Sequence, residues 1–595
     1  MSKFRKQLDD SEKISKGKVI IRMFGYLFKH PAHLLLVVAL TVASNVLALW
    51  APSLSGKAID AIVSKGNVNY DTVFLNCALM IGCYIVSAIL GFANSVTMIN
   101  LSRKVVYIMR KQTFEHLADM PVGYFDKNQT GDLISRLTYD IDTINASLSN
   151  DLVQICAGLI TVIGSGYMMF TYAPILMLVF LITIPILICI TVHRVRKVKP
   201  LFRKRSAMLG ELNGYTEEML SGQKTIRAYG KEKVMIGRFD EHNEEAIEAY
   251  YNAEYHGCVI GPSVNFINNL SLSFISMFGA ILYIFTPSFT LGSLSSFVLY
   301  SRKFSGPVNE TANIISEIQS ATSAAERVFR LLDTPCEKKA EVTDKPIENV
   351  QGDIKIDDIT FGYDEKPVLK NISVTIPKGS TVAVVGPTGS GKTTIINLLM
   401  RFYDVQSGEI RIDGTNSAES SLEDVRKSFA MVLQDTWLFA GTVAENIAYG
   451  TENASREHIE KAAKAAKIHD FIMSLPQGYD TLIDENGVNI SKGQKQLITI
   501  ARAILMDSPM QILDEATSNV DSRTERQLQE AVNAVMKGRT SIVVAHRLST
   551  VRHADCILVI KDGLLIEAGT HEELMNLKDG FYKSLHNSQF LTVDS

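Results

Sequence analysis

Six runs of mostly apolar residues fall within the first 320 residues, and they limit the fold more than any other feature of the chain. A helix needs roughly 20 such residues to cross the hydrocarbon core of a bilayer. The runs cover about 33–55, 75–99, 151–172, 174–192 and 257–285; a sixth, the most polar, starts near 291. Any one of them alone would also suit a buried soluble helix. Six in one stretch predict a transmembrane domain. The third and fourth runs are joined only by Thr171–Pro174, which reads as a tight hairpin at a membrane surface.

Lys and Arg in the flanks set the orientation. Arg194, Arg196, Lys197 and Lys199 follow the fourth run, and Arg103, Lys104, Arg110 and Lys111 follow the second. The opposite side carries little more than Lys65. A multi-pass protein of the inner or plasma membrane is expected, with both termini and both long loops cytoplasmic. Those loops keep helical apolar spacing and few breakers, so the spans are expected to continue as helices into the cytoplasm. Residues 18–30 mix basic and apolar residues and are expected to lie along the inner surface. The N-terminus is charged without an apolar core, so no cleavable signal peptide is expected. The seven cysteines include no CxxC pair and signal neither zinc nor a disulfide framework. A net charge of −3 argues against nucleic acid as a partner.

After residue 350 the pattern changes to short β-branched runs alternating with amphipathic helices, as in an α/β domain. The run 381–385 reads as a buried strand. It leads into Gly386, Pro387, Thr388, Gly389, Ser390, Gly391, Lys392, Thr393 and Thr394, which fit the phosphate-loop pattern G-x-x-x-x-G-K-[ST]. Backbone N–H groups there turn toward phosphates, and the following helix aims its positive end at them. Lys392 is expected to reach the β- and γ-phosphates of ATP, and Thr393 to hold Mg²⁺. A second carboxylate for the metal is expected at the end of another strand, and Asp514 supplies it. Glu515 follows as the expected general base. Gln511 interrupts that strand's apolar run and is expected to be a strand-edge substitution without chemical consequence. His546 ends a further strand and is expected to orient the attacking water. Gln434 also follows an apolar run, where its amide reaches metal or water. Tyr363 precedes the phosphate loop and is placed to stack on adenine.

In the order Tyr363, phosphate loop, Gln434, ISKGQ (490–494), LDEATS (513–518) and His546, these residues resemble the ATP-binding cassette of ABC transporters. Six spans ahead of one cassette are similar to a half-transporter of the type IV exporters, and the resemblance covers about 18–585. It implies a multi-domain membrane protein: a six-helix α transmembrane domain followed by an α/β P-loop cassette. The expected divisions are a tail at 1–17, the membrane domain at 18–325, a linker at 326–350 and the cassette at 351–595. Residues 124–142 and 217–232 resemble the family's two cytoplasmic loops, whose short helices press on the cassettes. The resemblance further implies that two cassettes close head to tail around two ATPs. Each ATP then lies between one chain's phosphate loop and the other chain's signature, here Ser491, Gly493 and Gln494. Alternating access follows from closure and reset.

The family's usual signature is Leu-Ser-Gly-Gly-Gln, and here Lys492 replaces the first glycine. A lysine adds a Cβ and a flexible cation where glycine permits close backbone approach. Just upstream, Asp484 stands where a glycine is usual, while Glu485 and Gly487 match the family. The hydrolytic set Lys392, Thr393, Gln434, Asp514, Glu515 and His546 is intact. An altered signature beside an intact hydrolytic set resembles one member of a heterodimeric exporter. The expected partner is a second, different half-transporter with an intact signature and no catalytic glutamate. The alternative is a homodimeric lipid flippase with two equivalent sites and Lys492 turned to solvent. The expected cargo is amphipathic (drugs, lipids or peptides), with membrane lipids as surroundings. An ATP-gated channel or regulator is a third possibility, and Glu515 with His546 favours turnover over gating. Asn265, Asn268 and Asn269 in the fifth run, and Met168, Met169 and Met177, are expected to serve packing rather than a substrate path.

Overall fold

The computed structural model describes residues 15–64, 67–337, 345–347, 349–364, 366–434, 436–483, 490–514, 522–544 and 551–590. These form two compact units. One comprises residues up to 115 together with 133–333, and the other joins 116–132 to the chain from 334 onward.

The membrane unit is helical. Helix α1 (Lys16–Phe28) buries Val19, Met23, Tyr26 and Leu27, and Arg22 Nη1 binds both carboxylate oxygens of Asp333 at 2.7 and 2.8 Å. Then come α2 (Pro31–Asp60) and α3 (Tyr70–Ala118), the second running well beyond bilayer thickness. The short α4 (Val122–Lys127) belongs to the other unit. Helix α5 (Thr130–Tyr172) contains two π-helical turns, Arg136–Asp140 and Ser147–Asp151. Ala173 leaves helical geometry, and α6 (Met177–Ser221) returns. The tip helix α7 (Gln223–Ala228) precedes α8 (Glu232–Cys258), α9 (Ile260–Phe285) and α10 (Leu291–Asp333). Five of the six expected spans, among the described residues, are long and apolar enough to cross a membrane. The sixth, α10, is a continuous 43-residue helix that falls below that apolarity. Helix α10 also runs to Asp333, so residues 326–333 of the expected linker are helical. The reason is burial: Val328, Phe329 and Leu331 are fully buried.

Helix α10 is polar because it serves α2. Pro52 lies inside α2 and has no N–H to offer the carbonyl one turn back, at Ala48. Lys303 Nζ donates to that carbonyl at 2.8 Å. The Tyr300 hydroxyl donates to Leu49 O at 2.6 Å, and Ser296 Oγ to Pro52 O at 2.9 Å. A Cβ on Gly56 would lie 2.5 Å from Gly292 O, so the two helices meet there backbone to backbone. Around this seam Met169, Leu176, Phe297 and Tyr300 form a buried cluster, with Met168 and Met177 packed against it. The methionines therefore pack the core. Asn268 lines a small cavity with Thr183, Ser271 and Ser305, while Asn265 and Asn269 are exposed.

In the other unit, a four-stranded antiparallel sheet and a six-stranded, mostly parallel sheet carry the fold. The strands are β1 (Ile354–Phe361), β2 (Leu369–Ile376), β3 (Thr381–Val385), β4 (Ser407–Ile412), β5 (Thr415–Asn416), β6 (Phe429–Val432), β7 (Met510–Asp514), β8 (Thr540–Val544), β9 (Cys556–Lys561) and β10 (Leu564–Gly569). The small sheet has the order β2-β1-β4-β5 and the large one β10-β9-β3-β8-β7-β6. Alternation along β3 sends Ala383 and Val385 into one core and Val382 and Val384 into the other. A parallel sheet covered on both faces requires this continuous apolar run. Gln511 departs from its expected place. Strand β7 pairs with both β6 and β8, so it is interior, and Gln511 is fully buried. Its Nε2 donates to Ser508 O at 2.9 Å, while its Oε1 has no partner among the described residues.

Candidate nucleotide site

Parallel pairing brings the carboxyl ends of four strands to one edge. Val544 is opposite Val384 and Asp514, and Leu513 is opposite Val432. The chain therefore leaves β3 into the phosphate loop, β6 toward Gln434, and ends β7 at Asp514, all at the same edge. Open α/β sheets bind ligands at such an edge. Glu515 directly follows β7 and His546 comes two residues after β8 in sequence; both lie outside the described residues, as do Asp484, Glu485 and Gly487.

The loop 386–391 is shaped by contacts that exclude side chains. A Cβ on Gly386 would stand 2.1 Å from Ile560 O. Gly391 has φ 105°, and a Cβ there would meet Leu369 Cδ2 at 2.6 Å. Helix α11 (Lys392–Leu399) starts at once. Lys392 is only 8% exposed, and its Nζ donates to Gly386 O and Pro387 O, both at 2.9 Å. Burial lowers its pKa, while the Asp514 carboxylate opposes that shift. The structure thus brings together the two groups expected on the phosphates and the metal. Ser390 is buried, with an Oγ that has no partner among the described residues. Thr388, Gly389 and Thr393 face outward, Thr394 is buried, and Gln434 is exposed.

This geometry fits a nucleotide triphosphate. A loop that admits no Cβ at Gly386 or Gly391, a buried lysine and a buried hydroxyl with no partner among the described residues form a cradle of donors. The Thr393 hydroxyl, Asp514 carboxylate and Gln434 amide oxygen are hard oxygen donors of the kind that suit Mg²⁺.

Tyr363 sits on α11: Asn397 Nδ2 donates to its hydroxyl at 2.9 Å, which lies 3.4 Å from Thr394 Oγ1. Its ring is 37% exposed and meets Tyr403 edge-on at 5.0 Å. Tyr403 is a residue the sequence reading did not single out. Its hydroxyl donates to Asp126 in α4, and its ring lies where a Cβ on Gly123 would approach to 2.7 Å. The first-loop helix is thereby joined to the nucleotide edge through two tyrosines. Arg426 fixes the same region by a bidentate pair with Glu337, both bonds 2.8 Å, and Glu337 N donates to Asp119 O at 2.9 Å. The only sequence cue to Tyr403 was an aromatic residue shortly after the phosphate-loop helix.

The signature begins α12 (Lys492–Met506). Ser491 caps it: its Oγ accepts from Gln494 N at 3.3 Å, and Gln494 Oε1 accepts from Ser491 N at 2.9 Å. This reciprocal box fixes the first turn. Lys492, the first helical residue, is exposed, and Gly493 is buried.

A phosphate loop at the edge of a parallel sheet, in a chain that also carries bilayer-length apolar helices, defines an ATP-driven membrane transporter. Residues 34–308 match the ABC transporter transmembrane region and 369–518 the ABC transporter family, and the chain belongs to the ABC transporter superfamily as a type IV exporter half-transporter. It is an ATPase of that class. It is 41% identical over 582 residues to an uncharacterized ABC transporter ATP-binding protein of Bacillus subtilis, covering 97% of this chain and 95% of that one. It is 38% identical over 524 residues to a fatty acid ABC transporter ATP-binding/permease protein of Mycobacterium tuberculosis, covering 88% and 82%. It is 38% identical over 518 residues to the ATP-dependent lipid A-core flippase of Escherichia coli, covering 86% and 88%.

Proposed function

We propose that this chain is one half of a dimeric exporter that moves amphipathic, lipid-class molecules out of the cytoplasm by alternating access, with two unequal ATP sites. The single observation behind the asymmetry is Lys492, exposed on the first turn of a fully capped signature helix. The cap keeps the helix end folded, so the substitution changes what that end presents rather than whether it forms. In this reading Lys392 and the loop N–H groups bind phosphates. Thr393, Asp514 and Gln434 would hold Mg²⁺, which would supply charge neutralisation at the phosphates. Glu515 takes a proton from the attacking water, and His546 orients it. Tyr363 offers its exposed face to the base.

A second half is needed because ISKGQ would act on the partner's nucleotide. Helix α7 supports this: it buries no residue, and Leu220 and Tyr229 beside it are 70% and 75% exposed, as suits a tip that docks on another chain. The cytoplasmic termini, the inner-membrane location and the division into a membrane domain and a cassette belong to the same reading. Lipid cargo is favoured by the names of the fatty acid and lipid A-core relatives. Those names also favour the second reading, a homodimer with equivalent sites.

One pair of variants tests the assignment. Glu515→Gln is expected to lower ATP turnover by ~100-fold or more while ATP binding survives. Ser491→Ala loses a cap worth about 1 kcal/mol but is expected to leave most turnover in the heterodimer. Full turnover in Glu515→Gln would remove the assignment, and equal losses in the two variants would favour the homodimer.

A further inference from the structure

We propose a divalent-cation site of the Zn²⁺ class between α6 and α8, formed by Glu211, His242 and Glu245. The ligand atoms of these three side chains all lie within 4.8 Å of one another. His242 and Glu245 are three apart on α8 and so share a face. Glu211 approaches from α6. Zn²⁺ binds imidazole nitrogen and carboxylate oxygen at about 2.0–2.2 Å, which separates tetrahedral ligands by about 3.3–3.6 Å. Small rotamer changes close the remaining gap.

Two further observations point to an ion. The seam between α6 and α8 pairs opposite charges where Arg205 meets Glu254 at 2.5 Å. Further along, the same seam sets the carboxylates of Glu211 and Glu245 together. Neither they nor the His242 ring nitrogens make a hydrogen bond or ion pair among the described residues. Glu211 and Glu245 are exposed and His242 is half-buried, and a cation between the two carboxylates would relieve what repulsion the solvent leaves unscreened. The imidazole is also held in place. Its ring packs on Tyr215 at 5.0 Å, and the Tyr215 hydroxyl donates to Met235 O at 3.0 Å. One imidazole with two carboxylates suits a borderline cation better than Mg²⁺ or Ca²⁺, and leaves a fourth position for water. Bound there, the ion fastens together the two helices that carry α7.

The test uses the untagged full-length chain in lipid nanodiscs, titrated with Zn²⁺ alone by calorimetry and with Co²⁺ by visible absorption. One ion per chain with micromolar or tighter affinity is expected, with a tetrahedral Co²⁺ band. His242→Ala, Glu211→Gln and Glu245→Gln should each weaken binding by about tenfold or more, and His256→Ala, elsewhere on α8, should not. Equal binding by the variants and wild type would mean an adventitious ion only. No saturable binding by wild type would mean that the three side chains hold no ion. Either result overturns the proposal.

Discussion

Tyr403→Phe tests the link between the nucleotide edge and the first loop. The change keeps the ring, and with it the edge-on contact with Tyr363 and the fit against Gly123. It removes only the hydroxyl that donates to the Asp126 carboxylate. A hydrogen bond to a charged group contributes about 1.5–3 kcal/mol when sheltered. This one is solvent-exposed, which brings it to about 1 kcal/mol. Local opening of α4 should then become about fivefold more frequent. Hydrogen–deuterium exchange reads this directly at Tyr124, whose N–H donates to Pro121 O at 2.9 Å. About fivefold faster exchange is expected in Tyr403→Phe and in Asp126→Ala, with no further gain in the double variant. Unchanged exchange, or effects that add, would refute the idea that this bond holds α4 to the cassette.

Lys303→Met should leave Ala48 O without a donor and cost about 1–3 kcal/mol, seen as a lower thermal midpoint. Pro52→Ala in that background returns an N–H to the same carbonyl and should recover much of the loss; no recovery would dismiss the account of α10's polarity. His571 gives a pH prediction. Burial, with His586 and Arg552 nearby, lowers its pKa, and its Nδ1 lies 2.7 Å from the Tyr582 hydroxyl. A depressed folded pKa stabilises above the unfolded value of about 6.5, and that stability is lost as pH falls through the folded value. After correction for intrinsic rates, amides of Phe581–Phe590 should exchange faster at acidic pH. His571→Gln should remove the difference.

What the sequence made legible followed the range of the interactions. The phosphate loop is a local device, so its strand, turn and helix fall where the glycines require them. The long helices were legible because apolar spacing continued past the spans, as α3 shows. Tyr403 and Asp126 were not, because they are 277 residues apart and neither belongs to a motif. Gln511 misled for a related reason: an amide in an apolar run reads as an edge residue, and the run does not show that strands β6 and β8, distant in sequence, flank β7 on both sides while the nearby Ser508 carbonyl accepts from the amide. The helical start of the expected linker was hidden by charge, since Arg327 and Arg330 flank the buried Val328 and Phe329. The role of Lys303 is not local either: the carbonyl it satisfies, Ala48 O, is freed by Pro52, far away in sequence.

The central claim is that this half works beside a different one. Its most direct test is the native mass of the complex purified from its own membrane through a tag on this chain. The account predicts two unequal half-transporter masses, with a partner that carries an intact signature and lacks the catalytic glutamate. A doubled mass of this chain alone would contradict it and place Glu515 opposite Lys492 in two identical, working sites.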